Sequence, residues 1–236
     1  MQHFLDDQSA TVRRVPRRLV LRAGALLGAG TALAASVPTI ALAKGNDFAA
    51  RRRAVLAAGE RARRRVSPGW RSANGFLAET RADSGGEVWT REVSGTPLTL
   101  ALRDGDARTL LEYAVRRFHY EVAELGPDDA SGFLADAPRR GAWSNQASGT
   151  SVRLLPGRYP VGAEDGLFGY QVDVVRDILA NCEKQLGWGG DLSPRCEGYF
   201  YVVGKQGDGN LRKAGQARRA RESSPGHKAG ALRLGA

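Results

Sequence analysis

Ser144-Asn145-Gln146-Ala147-Ser148-Gly149-Thr150-Ser151-Val152-Arg153-Leu154 is the stretch on which the reading of this chain turns. From Thr150 to Leu155 it reads as a β-strand, closed by Pro156-Gly157. Residues 157–169 then form a Gly- and Pro-containing loop. Beyond it Val172, Val175, Ile178, Leu179, Cys182 and Leu186 recur at helical spacing, which predicts a helix over about 170–186. Gly187-Trp188-Gly189-Gly190 ends that helix, and Gly198 to Val203 alternates as a final strand. Upstream, Val88–Val93 and Leu98–Leu102 suit strands separated by Ser94-Gly95-Thr96-Pro97. Asp104-Gly105-Asp106 makes a turn and offers an N-cap. Ala107, Leu110, Leu111, Ala114, Val115 and Phe118 predict a helix over about 107–119. A short strand is expected from Tyr120 to Leu125, and loop from Gly126 to Gly141. Strands and helices mix without a βαβ repeat, so the expected class is α+β, a small mixed sheet with two packed helices.

The amino-terminal segment speaks to location. Arg13-Arg14 and Arg17-Arg18 precede an apolar run from Ala23 to Ala43 that ends in Ala41-Leu42-Ala43, an A-x-A cleavage pattern. The second pair continues as Leu19-Val20-Leu21-Arg22 and resembles the twin-arginine export signal, with Arg17 and Arg18 as its working pair. A retained membrane anchor is the alternative. Gly24, Gly28, Gly30 and Pro38 interrupt the run and weaken that reading. The expected organisation is a signal peptide over 1–43, a basic Ala/Arg-rich linker over 44–67, a folded domain over 68–203 and a basic flexible tail over 204–236. The protein is expected outside the cell or at its wall, exported by the twin-arginine route already folded.

The formal net charge of +10 misleads about the body of the protein. Residues 44–66 hold eight bases and two acids, and residues 204–236 hold the same numbers. The intervening 67–203 hold 14 bases and 19 acids, so the folded part is acidic. Arg51-Arg52-Arg53, Arg63-Arg64-Arg65 and Arg218-Arg219-Ala220-Arg221 contain no Trp or Tyr for base stacking, which argues against nucleic acid. Anionic wall polymers or a membrane surface are the expected partners of these arms, through screened and nonspecific attraction. Solvated tails are the plain alternative.

Three stretches together resemble the VanY-like D-alanyl-D-alanine carboxypeptidase family, which shares its fold with the hedgehog signalling domain. The stretch from Ser144 to Leu154 is similar to the family's S-N-H-x-S-G-T-A-x-D-L. Gly187-Trp188-Gly189-Gly190-Asp191 resembles its W-G-G-D segment, and Cys196-Glu197-Gly198-Tyr199-Phe200-Tyr201 resembles D-x-M-H-F-E. The order and spacing hold over about residues 97–203. The resemblance implies a hedgehog/DD-peptidase-like fold, with a cleft formed by Gln146, Arg153 and Tyr199; Trp143 and Trp188 flank the motifs and are read first as packing residues, with cleft walls as the alternative.

The family's chemistry does not follow. A catalytic zinc needs about three protein ligands, here implied at positions 146, 153 and 199, with one coordination place left for water. Those positions hold Gln146, Arg153 and Tyr199, and the position of the family's base holds Cys196. Glu197 is a vestigial carboxylate one residue out of register. An arginine in place of a carboxylate sets a fixed cation against the metal. The expectation is therefore an exported, catalytically inactive relative without cofactor, binding peptidoglycan stem peptides in the old cleft. Arg153 would pair with a terminal carboxylate there. An active zinc peptidase of the wall and a structural or protein-binding wall component are the alternatives.

Cys182 and Cys196 are the only cysteines. In an exported protein they are a candidate disulfide. Otherwise Cys182 is a small buried apolar residue and Cys196 a loop thiol. His119, at the end of an apolar-faced helix, is expected to be structural.

Overall fold

The computed structural model describes residues 48–224. The export segment with Arg17 and Arg18 lies outside them, as do residues 225–236 at the end of the expected tail. In chain order the elements are α1 (Phe48–Val66), β1 (Val88–Glu92), β2 (Thr99–Arg103), α2 (Asp106–Glu121), β3 (Ala130–Ser131), β4 (Ser151–Leu154), α3 (Gly169–Asn181), β5 (Leu186–Trp188), β6 (Tyr199–Val202) and α4 (Gly209–Ser223). Two 3-10 helices, Ala142–Ser148 and Gly189–Asp191, precede β4 and follow β5. The class is α+β.

β1 and β2 form an antiparallel hairpin in register from Val88 opposite Arg103 to Glu92 opposite Thr99. The main sheet has the order β3-β4-β6-β5. All its pairings are antiparallel, which corrects the expectation of a mixed sheet. Side chains alternate across a strand, so one face of this sheet carries Val152, Leu154, Phe200, Val202, Leu186 and Trp188, all buried. α2 lays Leu110, Leu111, Ala114, Val115 and Phe118 on that face, and α3 adds Val175 and Ile178. Phe118 meets Phe200 and Tyr159 edge-on, with ring centroids 6.0 and 6.2 Å apart. Burying side chains of this size stabilises by about 1.5–3 kcal/mol each.

The elements differ from expectation at several places. α3 stops at Asn181 because Glu183 and Lys184 take positive φ (52° and 60°), and Leu186 belongs to β5 instead. Tyr120 to Leu125 is no strand: α2 runs to Glu121, and the amides of Val122 and Ala123 both close on the Phe118 carbonyl. The basic 44–67 linker is largely α1, whose Val66 is buried.

The tail expected to be flexible contains α4, packed on α2 through Leu211, Ala214, Gly215 and Arg218. Gly215 allows the close approach, since a Cβ there would run into Asp106. Arg218 lies 3.5 Å from the Tyr113 ring centroid and donates to the Asn181 carbonyl at 2.9 Å. Arg219 pairs with Asp106 at 2.6 Å, and Arg116 pairs with Glu222. With α1 and α4 added, α-helices number four among the described residues, not two.

Candidate functional site

The other face of the main sheet is polar and aromatic. The same alternation that turns Val152 and Phe200 inward puts Ser151, Arg153, Tyr199 and Tyr201 on the outer face. Register places Arg153 opposite Tyr199 and Ser151 opposite Tyr201, with Gly187 on the other side of Tyr201. The Tyr201 ring lies over Gly187, where any Cβ would strike it.

Trp143, at the start of the first 3-10 helix, stacks on Tyr199 with centroids 4.4 Å apart and planes inclined by 28°. Tyr199 in turn stacks on Tyr201 at 5.7 Å. The middle ring is completely buried, and its hydroxyl donates to the Ala142 carbonyl at 2.8 Å. Burial pushes the Tyr199 phenol well above its ordinary pKa, with the Ser151 hydroxyl beside it pulling the other way. The phenol is therefore a neutral donor at any physiological pH.

All three stretches singled out in the sequence meet here. The Cys196 amide donates to the Gly189 carbonyl at 2.9 Å, and the Trp188 indole donates to the Glu197 carbonyl at 2.6 Å. Gln146 is buried in the 3-10 helix, where its backbone carbonyl accepts from Leu134 and Gly149. Among the described residues no hydrogen bond joins the side chains of Gln146, Arg153 and Tyr199 to one another.

Arg153 brings a charge to this face, with its side chain in hydrogen-bonding reach of the Cys196 thiol. Its Nε is buried without a hydrogen-bond partner, and the side chain makes no ion pair among the described residues. It lies beside the Cys196 thiol. Burial raises the pKa of that thiol, and the Arg153 charge opposes the shift.

Several expected site residues have other duties. Trp188 faces the core, 4% exposed, with the Arg176 guanidinium 4.8 Å from its ring centroid. It does not wall the outer face. Arg176 is itself held by Asp191 through two 2.6 Å bonds. Glu197 is buried, and its Oε2 accepts the Leu167 amide at 2.9 Å, which anchors the loop before α3. Cys182 and Cys196 are both free and buried, which removes the disulfide. Cys182 caps α3 inside the core, whereas Cys196 donates to the Tyr159 carbonyl at 3.5 Å across the loop after β4. His119 is structural: its Nδ1 accepts the Leu125 amide at 2.9 Å.

Ser151 and Tyr201 went unremarked in the sequence. Strand parity alone, counted from Arg153 and Tyr199, puts both on the same face. The residue types at positions 146, 153 and 199 do not fit zinc: an amide, a guanidinium and a buried neutral phenol stand where anionic or imidazole ligands are needed. Among the described residues no group of three or more His, Cys, Asp or Glu side chains could hold a metal ion.

Comparison with known protein families, curated proteins and solved structures finds no match to this chain.

Proposed function

We propose that this is an exported, catalytically inactive relative of the D-alanyl-D-alanine carboxypeptidases, with the hedgehog/DD-peptidase fold, which binds peptidoglycan stem peptides on the outer face of its main sheet. One observation carries the reading. Arg153 holds a partly buried guanidinium whose Nε has no hydrogen-bond partner and which makes no ion pair among the described residues. A guanidinium without a countercharge favours an anionic ligand at the part of it that water reaches. A terminal carboxylate is the planar anion that a guanidinium binds in two parallel hydrogen bonds. Trp143 and Tyr201, both partly exposed, give the peptide's methyl groups an apolar wall to rest on. The meeting of the three motif stretches at this face supports the family reading, and the Arg17-Arg18 signal supports the location.

Calorimetry with a stem pentapeptide ending in a free D-Ala-D-Ala carboxylate tests the reading, with the same peptide amidated as control. Wild type should prefer the free acid. Arg153→Ala should weaken that binding by about 1.5–3 kcal/mol, the worth of a hydrogen bond to a charged group. It should leave the weaker amide binding unchanged. If wild type binds neither peptide, the face is structural. If it cleaves the peptide and a chelator stops it, the protein is an active zinc peptidase.

A further inference from the structure

α1 presents the face that this fold leaves unfinished. Its 19 residues hold seven arginines against the single acid Glu60. Its carboxyl-terminal end docks on the body. Val66 is buried, and its carbonyl accepts the Thr80 amide at 2.7 Å and the Thr80 hydroxyl at 3.1 Å. Arg63 pairs with Glu87 at 2.8 Å. With about 3.6 residues per turn, Phe48, Val55, Gly59, Ala62 and Val66 fall along one stripe. The body covers the far end of that stripe. The near end stays in water: Phe48 is 79% exposed, Val55 70%, and Leu56 on the flank 59%.

We infer that α1 is a membrane-interface helix, which lays the Phe48–Val55 stripe into the headgroup region of an anionic bilayer. Arg51 and Arg52 flank the stripe, one on each side. From there a guanidinium can reach lipid phosphate while its aliphatic stem lies along the apolar boundary. A wall polymer would satisfy the arginines and leave Phe48 and Val55 in water. A second copy of α1 would cover the stripe but bring seven arginines against seven. An anionic bilayer satisfies both needs. The apolar run that ends at Ala43 stops five residues short of Phe48, and on the export reading proposed above it would bring α1 to a membrane surface. Among the described residues no helix is long and apolar enough to cross a membrane, so α1 lies on the bilayer rather than in it. None of this depends on what Arg153 binds.

Spin labels on the full-length protein test the orientation. Cys182 and Cys196 are buried, so a nitroxide reagent under native conditions finds an introduced thiol at Val55→Cys or, half a turn away, at Ala57→Cys. On phosphatidylglycerol vesicles the label at 55 should be shielded from a water-soluble nickel chelate and open to dissolved oxygen, while the label at 57 stays open to the chelate. Each arginine near an anionic surface is worth roughly fivefold in partitioning. Arg51→Glu with Arg52→Glu, or vesicles of phosphatidylcholine alone, should therefore erase most of the contrast. Equal accessibility at 55 and 57 would overturn the proposal, because a helix merely tethered by its upstream segment has no preferred face. Shielding at 55 that is present without vesicles and grows with protein concentration would also overturn it, in favour of a second copy. So would full contrast in the double-glutamate variant.

Discussion

Replacing Arg103 by Met keeps most of the aliphatic length of the side chain and removes its charge. In the folded protein this arginine is 2% exposed at the end of β2. Its Nε donates to the Ser148 carbonyl at 2.9 Å and its Nη2 to the Leu77 carbonyl at 2.6 Å. The same nitrogen lies 3.4 Å from Glu79, and Nη1 pairs with Glu87. Burial pulls the guanidinium below its ordinary pKa, and the two glutamates pull it back. In Arg103→Met the Glu79 carboxylate, 4% exposed, keeps the amides of Glu87 and Val88 at 2.8 and 3.4 Å but loses its countercharge. Removing one partner of a buried pair costs about 3–5 kcal/mol. At roughly 2–4 °C per kcal/mol for a chain of this size, Tm should fall by about 6–20 °C. Thermal and urea unfolding followed by tryptophan fluorescence would measure the loss. Adding Glu79→Leu should recover part of it, because no uncompensated charge then stays buried. A single-variant loss no larger than the ~1 kcal/mol of a surface pair would refute the reasoning. So would a double variant that recovers nothing.

Four further outcomes are expected. Native protein should show no thiol reactive with a bulky disulfide reagent, and two after denaturation without reductant, since Cys182 and Cys196 are both free and buried. Burial pushes Cys182 up to about 12 from an ordinary 9.0. The stabilisation tied to its proton is thus complete below the unfolded value and lost as pH rises from about 9 toward 12, which unfolding at stepped alkaline pH would follow. Elemental analysis of the purified protein should find no stoichiometric zinc. Gln146→His alone should not create a site, because Arg153 keeps a cation and Tyr199 a neutral phenol beside the new imidazole.

How much of this was legible in the chain depends on how each element makes its contacts. α2 was readable because Leu110, Leu111, Val115 and Phe118 are strongly apolar at helical spacing. α4 was not: its buried stripe is Leu211, Ala214, Gly215 and Arg218, and three of those four count as small or charged in any reckoning of apolar residues. What binds α4 is close backbone approach at Gly215 and a guanidinium laid on the Tyr113 ring, and neither leaves a hydrophobic signature. α3 was read too long because Cys182 and Leu186 continue its stripe, although two residues of positive φ separate them and send Leu186 into the sheet.

The outer face was half legible. Positions 146, 153 and 199 came from the motif pattern; the company of Arg153 and Tyr199 follows from strand parity, which any strand assignment already contains, whereas Gln146 lies in a 3-10 helix that parity does not reach. Parity also argued against Trp188 as a cleft wall. Gly187 is the register partner of Tyr201 and Trp188 that of Phe200, so once Tyr201 faces outward Trp188 must face the core. The disulfide was a different kind of error. Two cysteines in an exported chain raise the expectation, but bridging requires the Cβ atoms to come within about 3.5–4.5 Å, a distance no spacing in the sequence fixes. One thiol is committed to the α3 core and the other to the Tyr159 carbonyl. Glu197 is placed by its own local contact: its carboxylate holds the Leu167 amide and makes no ion pair with Arg153 among the described residues. That leaves the charge of Arg153 unanswered from within the described fold, which is the physical reason to look for its partner in a ligand.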